Sequence, residues 1–316
     1  MKPLLTKLIF LPFLLLTCLS LSTCQRANAP SEDGISYTDA LGRDIVLPKN
    51  PKRVAALLGS FADVFVLAGG ELCAAPVDAW EDFALELPSA VNIGGAHSPS
   101  LELLIASSPD LVIASASTAS NVALQEPLET MGIPVVYFDV DGFADYLEML
   151  RVCTDITGRS DLYEKNGLAI KAQIDSIKAS YLEEDLSESE RRVLLLRASS
   201  TGIKTKGSQG TILGEMLAQM GCINVADRDG TMLDTLSMEA IVRENPHHIF
   251  IVTMGSDTNA ALNYVQRSLL EDPVFSHLDA VLEGRFHLMD KSLFNLKPNA
   301  KWGIAYAELY DKLTKE

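Results

Sequence analysis

Two glutamates occupy the same place in a segment that the chain uses twice. Glu102 and Glu239 each follow an apolar residue and stand near the start of a short stretch with apolar residues at helical spacing. Pro109 and Pro246 lie seven positions after their glutamate, each just before an apolar run that is typical of a buried strand. Because proline cannot continue a helix, both prolines mark a turn from helix to strand. Such a repeat predicts two similar lobes whose carboxylates could pair with two equivalent basic groups, although two ordinary helix–strand units could match by chance.

A second set of side chains that could do chemistry lies near the ends of the predicted strands and in the loops that follow them. In open parallel sheets, ligands bind outside the carboxyl ends of the strands. The side chains found there are small, polar or aromatic, as a ligand pocket requires, although serine is also common in ordinary loops and tryptophan in cores. The candidate ligand contacts are Ser60, Trp80, His97, Ser115, Ser199, Lys204, Met254, Phe294 and Trp302.

The elements that would position these side chains alternate along the chain. Amphipathic helical patterns separate short apolar runs, which indicates an α/β fold of two Rossmann-like lobes with parallel sheets covered on both faces. A helical pattern without a strand runs from Ser160 to about Glu183 and is predicted to join the lobes as one long α-helix, although a surface helix within one domain would have the same pattern. The predicted strands are residues 54–58, 111–114, 135–138, 193–196, 249–252 and 286–289.

The N-terminus is predicted to be a lipoprotein signal peptide. Lys2 and Lys7 precede a short apolar run, and Cys24 follows where a bacterial lipobox places the cysteine that receives the lipid. Thr23 departs from the small residue that this pattern prefers, Cys18 is a poorer lipidation site, and an uncleaved anchor or simple secretion is the alternative. The predicted parts are the signal at 1–23, a flexible tether at 24–36, the N-terminal lobe at 37–158, the connecting helix at 159–183 and the C-terminal lobe at 184–316.

The charge balance argues against some partners. The 316 residues include 26 basic and 42 acidic side chains, a net charge of −16. Removal of residues 1–23, which hold two lysines and no acid, takes that charge two units lower, to −18. Nucleic acid and anionic lipid both call for a basic face, so neither is predicted as a partner.

The sequence contains no motif of a common enzyme or metal site. It lacks GxSxG, HExxH and CxxC, and its glycines near residue 210 have neither dinucleotide-binding nor P-loop spacing. His247 and His248 are adjacent at a predicted strand start, where side chains alternate between faces, so a shared metal is not expected. We therefore predict no enzyme activity, no resident metal and no cofactor, and leave the three cysteines Cys73, Cys153 and Cys222 open as thiols or one disulfide.

Several segments together resemble one family. Residues 37–48 and 51–54 look like the opening of the ABC-transporter substrate-binding proteins for iron-siderophores, cobalamin and haem. Residues 102–114 resemble a first-lobe segment of that family, while the segment at Glu239 and residues 297–302 resemble second-lobe segments. The resemblance covers nearly all of residues 37–316 and does not specify the ligand.

The resemblance implies how such a protein would work. It implies a monomeric, extracytoplasmic protein, anchored to the cell membrane through Cys24, that captures a metal chelate between its lobes. It also implies that Glu102 and Glu239 dock on arginines of an ABC permease dimer that works with its ATPase subunits. The alternative for each glutamate is stabilisation of its own helix through the helix dipole. A single connecting helix further predicts small opening motions.

The cargo stays open between three classes. Haem would need an axial ligand, which His97 or Tyr264 could supply. A ferric siderophore would favour cationic contacts, for which Lys204, Lys206 and Arg228 are candidates beside the aromatic residues. A corrinoid would need a wide, mostly neutral cleft. Two functions of other classes share the same fold prediction: a surface-anchored metal-dependent enzyme that uses the histidines, and a ligand sensor that signals without transport.

Overall fold

The computed structural model describes residues 34–314 except 229 and 256, so the predicted signal, Cys24 and most of the tether lie outside the described residues. Residues Asp33–Glu316 form one compact unit. Within the described part of the chain, no helix is both long enough and apolar enough to cross a bilayer.

The N-terminal lobe is built around a parallel sheet. Its strands are β1 (Ile35–Thr38), β2 (Asp44–Leu47), β3 (Val54–Ala56), β4 (Leu72–Ala75), β5 (Val91–Asn92), β6 (Gly94–Gly95), β7 (Ser98–Pro99), β8 (Leu111–Ser115) and β9 (Val135–Phe138). Its helices are α1 (Gly59–Leu67), α2 (Asp78–Glu81), α3 (Leu101–Ala106), α4 (Ala119–Val122), α5 (Gln125–Thr130) and α6 (Phe143–Thr157). The sheet order is β5-β4-β3-β8-β9, with β1-β2 and β6-β7 as separate antiparallel hairpins. Every residue of β3, β8 and β9 is buried, as helices on both faces of a parallel sheet require.

A nearly continuous helical segment joins the lobes. Helix α6 ends at Gly158, which adopts a left-handed φ of 71° that glycine accommodates without strain. The chain then continues through α7 (Ser160–Tyr163), a π-helical turn (Glu164–Leu168) and α8 (Ala169–Leu182). At about 1.5 Å per residue this segment is roughly 35 Å long, as expected for the predicted connecting helix. Arg159 occupies the N-cap position of α7.

The C-terminal lobe has a second sheet in the order β11-β10-β13-β14, with the short β12 beside the start of β10. All its pairings are parallel except β10–β11, an antiparallel hairpin that the sequence pattern did not predict. The strands are β10 (Arg192–Ser199), β11 (Gly202–Lys206), β12 (Ile223–Asn224), β13 (His248–Thr253) and β14 (Phe286–Met289). The helices are α9 (Ile212–Gln219), α10 (Val225–Arg228), α11 (Met238–Glu244), α12 (Thr258–Val265), α13 (Asp279–Leu282), α14 (Lys291–Phe294) and α15 (Trp302–Thr314), with short 3₁₀ or π turns at Gly230–Met232, Gln266–Leu270, Phe275–His277 and Asn299–Lys301.

One hydrophobic core runs through both lobes. It includes Phe143 of α6, Leu195 of β10 and Trp302 of α15, all less than a tenth exposed. The Trp302 ring packs edge-on against Phe143 at 5.9 Å between centroids and tilts against Tyr306 at 6.3 Å. Because the opposite face of each sheet has a core of its own, the shared core is what holds the lobes together.

A buried asparagine adds a polar contact between the lobes. Asn299, from the C-terminal lobe, donates through Nδ2 to the Ser60 carbonyl and to Asp63 Oδ2 of α1, both at 2.8 Å. Asn299 is fully buried and has a left-handed φ of 52°, which asparagine tolerates better than most residues. Burial raises the pKa of the Asp63 carboxyl, while the Asn299 amide opposes that rise.

We expect Asn299→Ala to lower the free energy of unfolding by about 2–4 kcal/mol, because the Ser60 carbonyl and the partly buried Asp63 carboxylate lose their donor and alanine is strained at positive φ. Urea denaturation checks this. Asn299→Gly is the matched variant: it loses the same hydrogen bonds without the backbone strain, so its loss is expected to be smaller. Wild-type stability in Asn299→Ala would show that the contact contributes nothing.

Candidate functional site

The two repeated glutamates lie on equivalent helices. Ser100 caps α3 by accepting a hydrogen bond from the Leu103 amide at 3.3 Å, and Ser237 caps α11 by accepting from the Ala240 amide at the same distance. Glu102 and Glu239 are therefore the second residues of their helices. The repeat extends from the cap to the following buried strand in both lobes, which is the arrangement that the sequence predicted.

Both glutamate side chains are free to meet a partner. Glu102 and Glu239 are exposed, and within residues 34–314, apart from 229 and 256, neither contacts a cationic side chain. Leu103, next to Glu102, is 42% exposed, and Val242, one turn after Glu239, is 47% exposed. Each carboxylate thus stands beside an uncovered apolar side chain, a combination that suits a protein interface.

The predicted ligand contacts of the N-terminal lobe follow three of its strands. Ser60 is buried in the first turn of α1, directly after β3, and Trp80 is half-buried on α2, after β4. His97 is exposed in the turn between β6 and β7. Ser115 ends β8, and its Oγ lies 3.1 Å from both Ser117 Oγ and Thr118 Oγ1.

Three predicted ligand contacts of the C-terminal lobe line one cavity of about 480 Å³. Ser199 ends β10, Lys204 lies on β11, and Met254 follows β13 and is 42% exposed. Phe294 and Trp302, by contrast, are 1% and 0% exposed, so they pack in the shared core and offer no open surface to a ligand. A ligand role for these two aromatic residues has no support in the structure.

The carboxyl ends of the two sheets face each other. Lys291 lies two residues after the end of β14. Its Nζ is 3.2 Å from Oδ1 of Asp82, the residue that follows α2. Asp82 follows β4, so this ion pair spans the gap between the two sheets at their carboxyl ends. Parallel sheets bind ligands at that end, which places a cleft between the lobes there.

A buried carboxylate fixes the N-terminal wall of this cleft. Asp78 accepts from the Gly59 amide at 2.8 Å through Oδ2, while its Oδ1 is buried without a hydrogen-bond partner among the described residues. Burial raises the pKa of Asp78, and His97 opposes this rise. A β-carbon at Gly59 would clash with the Asp78 backbone, so only glycine allows this close approach.

Sequence reasoning missed one cleft residue, Arg197 of β10. It lines the same cavity as Ser199, and its Nε is buried without a hydrogen-bond partner in the described part of the chain. Burial lowers the pKa of its guanidinium, and Asp234 opposes this effect. The signal in the sequence was an arginine inside an otherwise apolar strand, but the predicted strand ended one residue earlier.

The remaining candidates for cargo contacts are separated. Lys206 pairs with Asp234 at 2.6 Å, and Arg228 pairs with Glu188 at 3.3 Å. Tyr264 packs against the core on the opposite sheet face from Arg197. Of the two residues proposed as haem ligands, only His97 therefore lies at the carboxyl ends of the strands.

His247 and His248 do not point to opposite faces of one strand, as the sequence predicted, because β13 begins only at His248. His248 is buried and its Nδ1 lies 3.1 Å from Nε2 of His287 on β14, whereas His247 precedes the strand. Among the described residues, no group of three or more histidine, cysteine, aspartate or glutamate side chains could hold a metal ion. Cys73, Cys153 and Cys222 are free thiols, so the alternative of one disulfide among them is not seen.

Known proteins share this fold and sequence pattern. The sequence profile of the periplasmic binding protein family matches residues 54–293. The substrate-binding lipoprotein YvrC of Bacillus subtilis, named for an ABC transporter, is 25% identical over 231 residues, which are 72% of this chain and 71% of YvrC. The Fe(3+)-citrate-binding protein YfmC of Bacillus subtilis is 25% identical over 298 residues, 88% of this chain and 87% of YfmC. The crystal structure of Staphylococcus aureus SirA with staphyloferrin B has a TM-score of 0.68 and 20% identity, and the match covers 89% of this chain and 99% of that one.

Two α/β lobes joined by a long helix, with a cleft at the carboxyl ends of both sheets, are the architecture of a substrate-binding protein of ABC importers. The chain belongs to the periplasmic binding protein family. This membership confirms the predicted fold class and the prediction that the chain is not an enzyme, and it implies an extracytoplasmic protein that works with an ABC permease and ATPase.

Proposed function

We propose that this chain captures one iron complex, haem or corrinoid in the cleft between its lobes and delivers it to its permease. The observation that carries the proposal is the meeting of the carboxyl ends of both sheets at Lys291 and Asp82. Ser60 on α1 and Trp80 on α2 follow strands of the N-terminal lobe on this side, and polar and aromatic side chains of this kind are what a small-molecule site needs. YfmC is named an Fe(3+)-citrate-binding protein, and SirA was solved with staphyloferrin B. Both similarities support the cargo class.

Delivery requires a docking surface, and the proposal assigns it to Glu102 and Glu239. Their equivalent caps and exposed positions suit two equivalent basic patches, one on each subunit of a permease dimer. The exposed Leu103 and Val242 beside them would be covered in the complex. The helix dipole alone explains why a glutamate is favourable at these positions, but it does not explain the uncovered apolar neighbours.

The proposal also includes a membrane anchor. Lipidation of Cys24 would hold a monomeric chain at the outer side of the cell membrane, with residues 24–36 as the tether. The name of YvrC, a substrate-binding lipoprotein, supports this arrangement. We also propose the boundaries 37–158 for the N-terminal lobe, 159–183 for the connecting helix and 184–316 for the C-terminal lobe. We further propose small opening motions, since the shared core and the Asn299 contact restrict separation of the lobes.

A fluorescence titration tests the binding function. Trp80 and Trp302 are the only tryptophans of the chain; the first is half-buried at the cleft and the second is in the core between the lobes. We expect haemin, cobalamin or one ferric siderophore to quench this fluorescence saturably at submicromolar concentration. If none of the three classes binds, the cargo assignment is wrong.

A further inference from the structure

Arg197 is a cation at the wall of a cavity in the C-terminal lobe, where Asp234 is the one acidic side chain among the described lining residues and forms no ion pair with it. Its side chain is half-buried, lines the cavity of about 480 Å³, and forms no ion pair with a residue in the described part of the chain. Its Nε is inaccessible to solvent and has no hydrogen-bond partner there. Arg192, at the other end of the same strand, also has a buried Nε without a hydrogen-bond partner in the described part of the chain, but its guanidinium pairs with Glu188 at 3.5 Å, so the two arginines differ in the ion pair.

The register of the β10–β11 hairpin places a second positive charge beside Arg197. Arg197 of β10 stands directly opposite Lys204 of β11, and both point to the sheet face that turns toward the shared core. Like charges opposite each other on paired strands destabilise a sheet. Lys206 lines the same cavity, but Asp234 already pairs with it at 2.6 Å. The cavity therefore has an excess of positive charge in a protein whose net charge is −16.

An anion in this cavity would remove the cost of the arrangement. A partly desolvated charge without a partner is unfavourable, and a carboxylate is the group that the planar guanidinium fork pairs with best. Thr201 lines the cavity near Arg197 and could donate a hydroxyl hydrogen bond to the same group, whereas the Ser199 hydroxyl donates to the Gly202 carbonyl at 3.2 Å. Carboxylates paired through two parallel hydrogen bonds are fixed in orientation as well as bound.

We propose that Arg197, with Lys204, forms a subsite for a carboxylate of the cargo. This inference rests on the proposed function and narrows it: the cargo presents a peripheral carboxylate to the C-terminal lobe. Two of the cargo classes carry such a group, namely ferric complexes of polycarboxylate chelators and haem through its propionates. A neutral ferric trihydroxamate and cyanocobalamin carry none, so they would leave Arg197 unpaired.

Two pairs of ligands distinguish an iron polycarboxylate from haem as the source of the carboxylate. Equilibrium dialysis of the full-length chain in detergent, against a micelle-only blank, would compare ferric citrate with a neutral ferric trihydroxamate, and haemin with haem dimethyl ester. Binding of ferric citrate alone indicates an iron polycarboxylate, and binding of haemin but not its ester indicates the propionates. Tight binding of the trihydroxamate, the ester or cyanocobalamin overturns the subsite while the proposed function stands. If no probe binds, the proposed function and this inference both fail.

Variants test the role of Arg197 itself. Arg197→Gln is expected to raise the Kd of the bound ligand about ten- to hundredfold, because a hydrogen-bonded charge pair is lost. Arg197→Lys keeps the positive charge without the planar guanidinium, so its Kd is expected to lie between those of wild type and Arg197→Gln. Arg159→Gln is the control, since Arg159 is exposed, pairs with Asp161 and lies on the connecting segment. Equal Kd values for Arg197→Gln and wild type would overturn the proposal.

Stability without ligand gives a second, independent readout. Removal of an uncompensated charge is expected to leave the melting temperature of apo Arg197→Gln equal to or above that of wild type. Citrate without iron is expected to raise the melting temperature of wild type and not of Arg197→Gln. A clearly lower melting temperature for the apo variant would show that Arg197 supports the fold, and it would contradict a ligand-binding role.

Discussion

Glu102→Ala combined with Glu239→Ala is expected to reduce cargo uptake by cells at least about tenfold while cargo affinity stays within about twofold of wild type. A lost charge pair in an interface costs about 2–5 kcal/mol, and the double variant loses two. Neither carboxylate contacts a cation in the described part of its own chain, so little folding energy depends on them. Uptake of labelled cargo by cells and titration of the purified variants measure the two quantities.

Glu126→Ala is the matched control for this prediction. Glu126 is also exposed and is also the second residue of its helix, α5. If Glu102 and Glu239 serve only the helix dipole, all three positions would lose the same few tenths of a kcal/mol of stability and none would affect uptake. Normal uptake by the double variant would therefore contradict docking through these two residues.

The second large effect is expected from the paired histidines of the C-terminal lobe. His248 is 3% exposed, its Nδ1 lies 3.1 Å from His287 Nε2, and its ring stacks on Phe250. Burial lowers the pKa of His248 from 6.5 to about 3, with His287, His247 and Arg285 adding to the shift. Burial also lowers the pKa of His287 to about 4, with Lys312 and Arg285 adding to it.

These shifts predict that acid destabilises the protein. Both pKa values are lower in the folded state than the ordinary 6.5, so the unfolded chain binds more protons at intermediate pH. The stabilising contribution is complete above about pH 6.5 and is lost as the pH falls toward 4 and then 3. At about 1.4 kcal/mol per pH unit, His248 alone accounts for about 2 kcal/mol between pH 6.5 and 5. The share of His287 is smaller, because its ring is partly exposed and solvent screens it.

Urea denaturation at pH 7.5 and pH 5 measures this effect. His248→Asn and His287→Gln keep a polar atom near each contacting nitrogen and do not titrate, so their combination is expected to lose most of the difference in stability between the two pH values. His277→Gln, at an exposed histidine, is the control and is expected to behave as wild type. An unchanged pH dependence in the double variant would show that the histidine pair is not the cause.

The sequence predicted the elements with strong apolar patterns. Strands β8, β9 and β13 were found nearly at their observed bounds because they are buried on both faces, and the two Glu–Pro segments marked the repeat. Strand β4 was missed because its sequence, Leu-Cys-Ala-Ala, has no β-branched residue. Strand β11 was missed because only its alternate residues, Ile203 and Thr205, are buried. Lys204 and Lys206 interrupt the apolar pattern, so the strand contains no apolar run.

The site was harder to predict than the fold, because it depends on side-chain directions. Ser199, Lys204 and Met254 line one cavity because Ser199 ends β10, Met254 follows the neighbouring β13, and Lys204 lies on β11, which pairs with β10. Trp302 was expected at the cleft, but α15 turns this face of the helix into the core between the lobes. Arg197 was missed because the predicted strand ended at residue 196, and its place opposite Lys204 depends on a hairpin that the sequence pattern did not predict.

Transport in cells tests the central claim most directly. Uptake of a labelled ferric complex, haem and cobalamin would be compared in the host, in a strain without this chain and in that strain with the chain restored. We predict that uptake of one cargo class falls to background without the chain and returns when it is restored. Unchanged uptake of all three classes in the deletion strain, together with no binding by the purified protein, would contradict delivery of such a cargo.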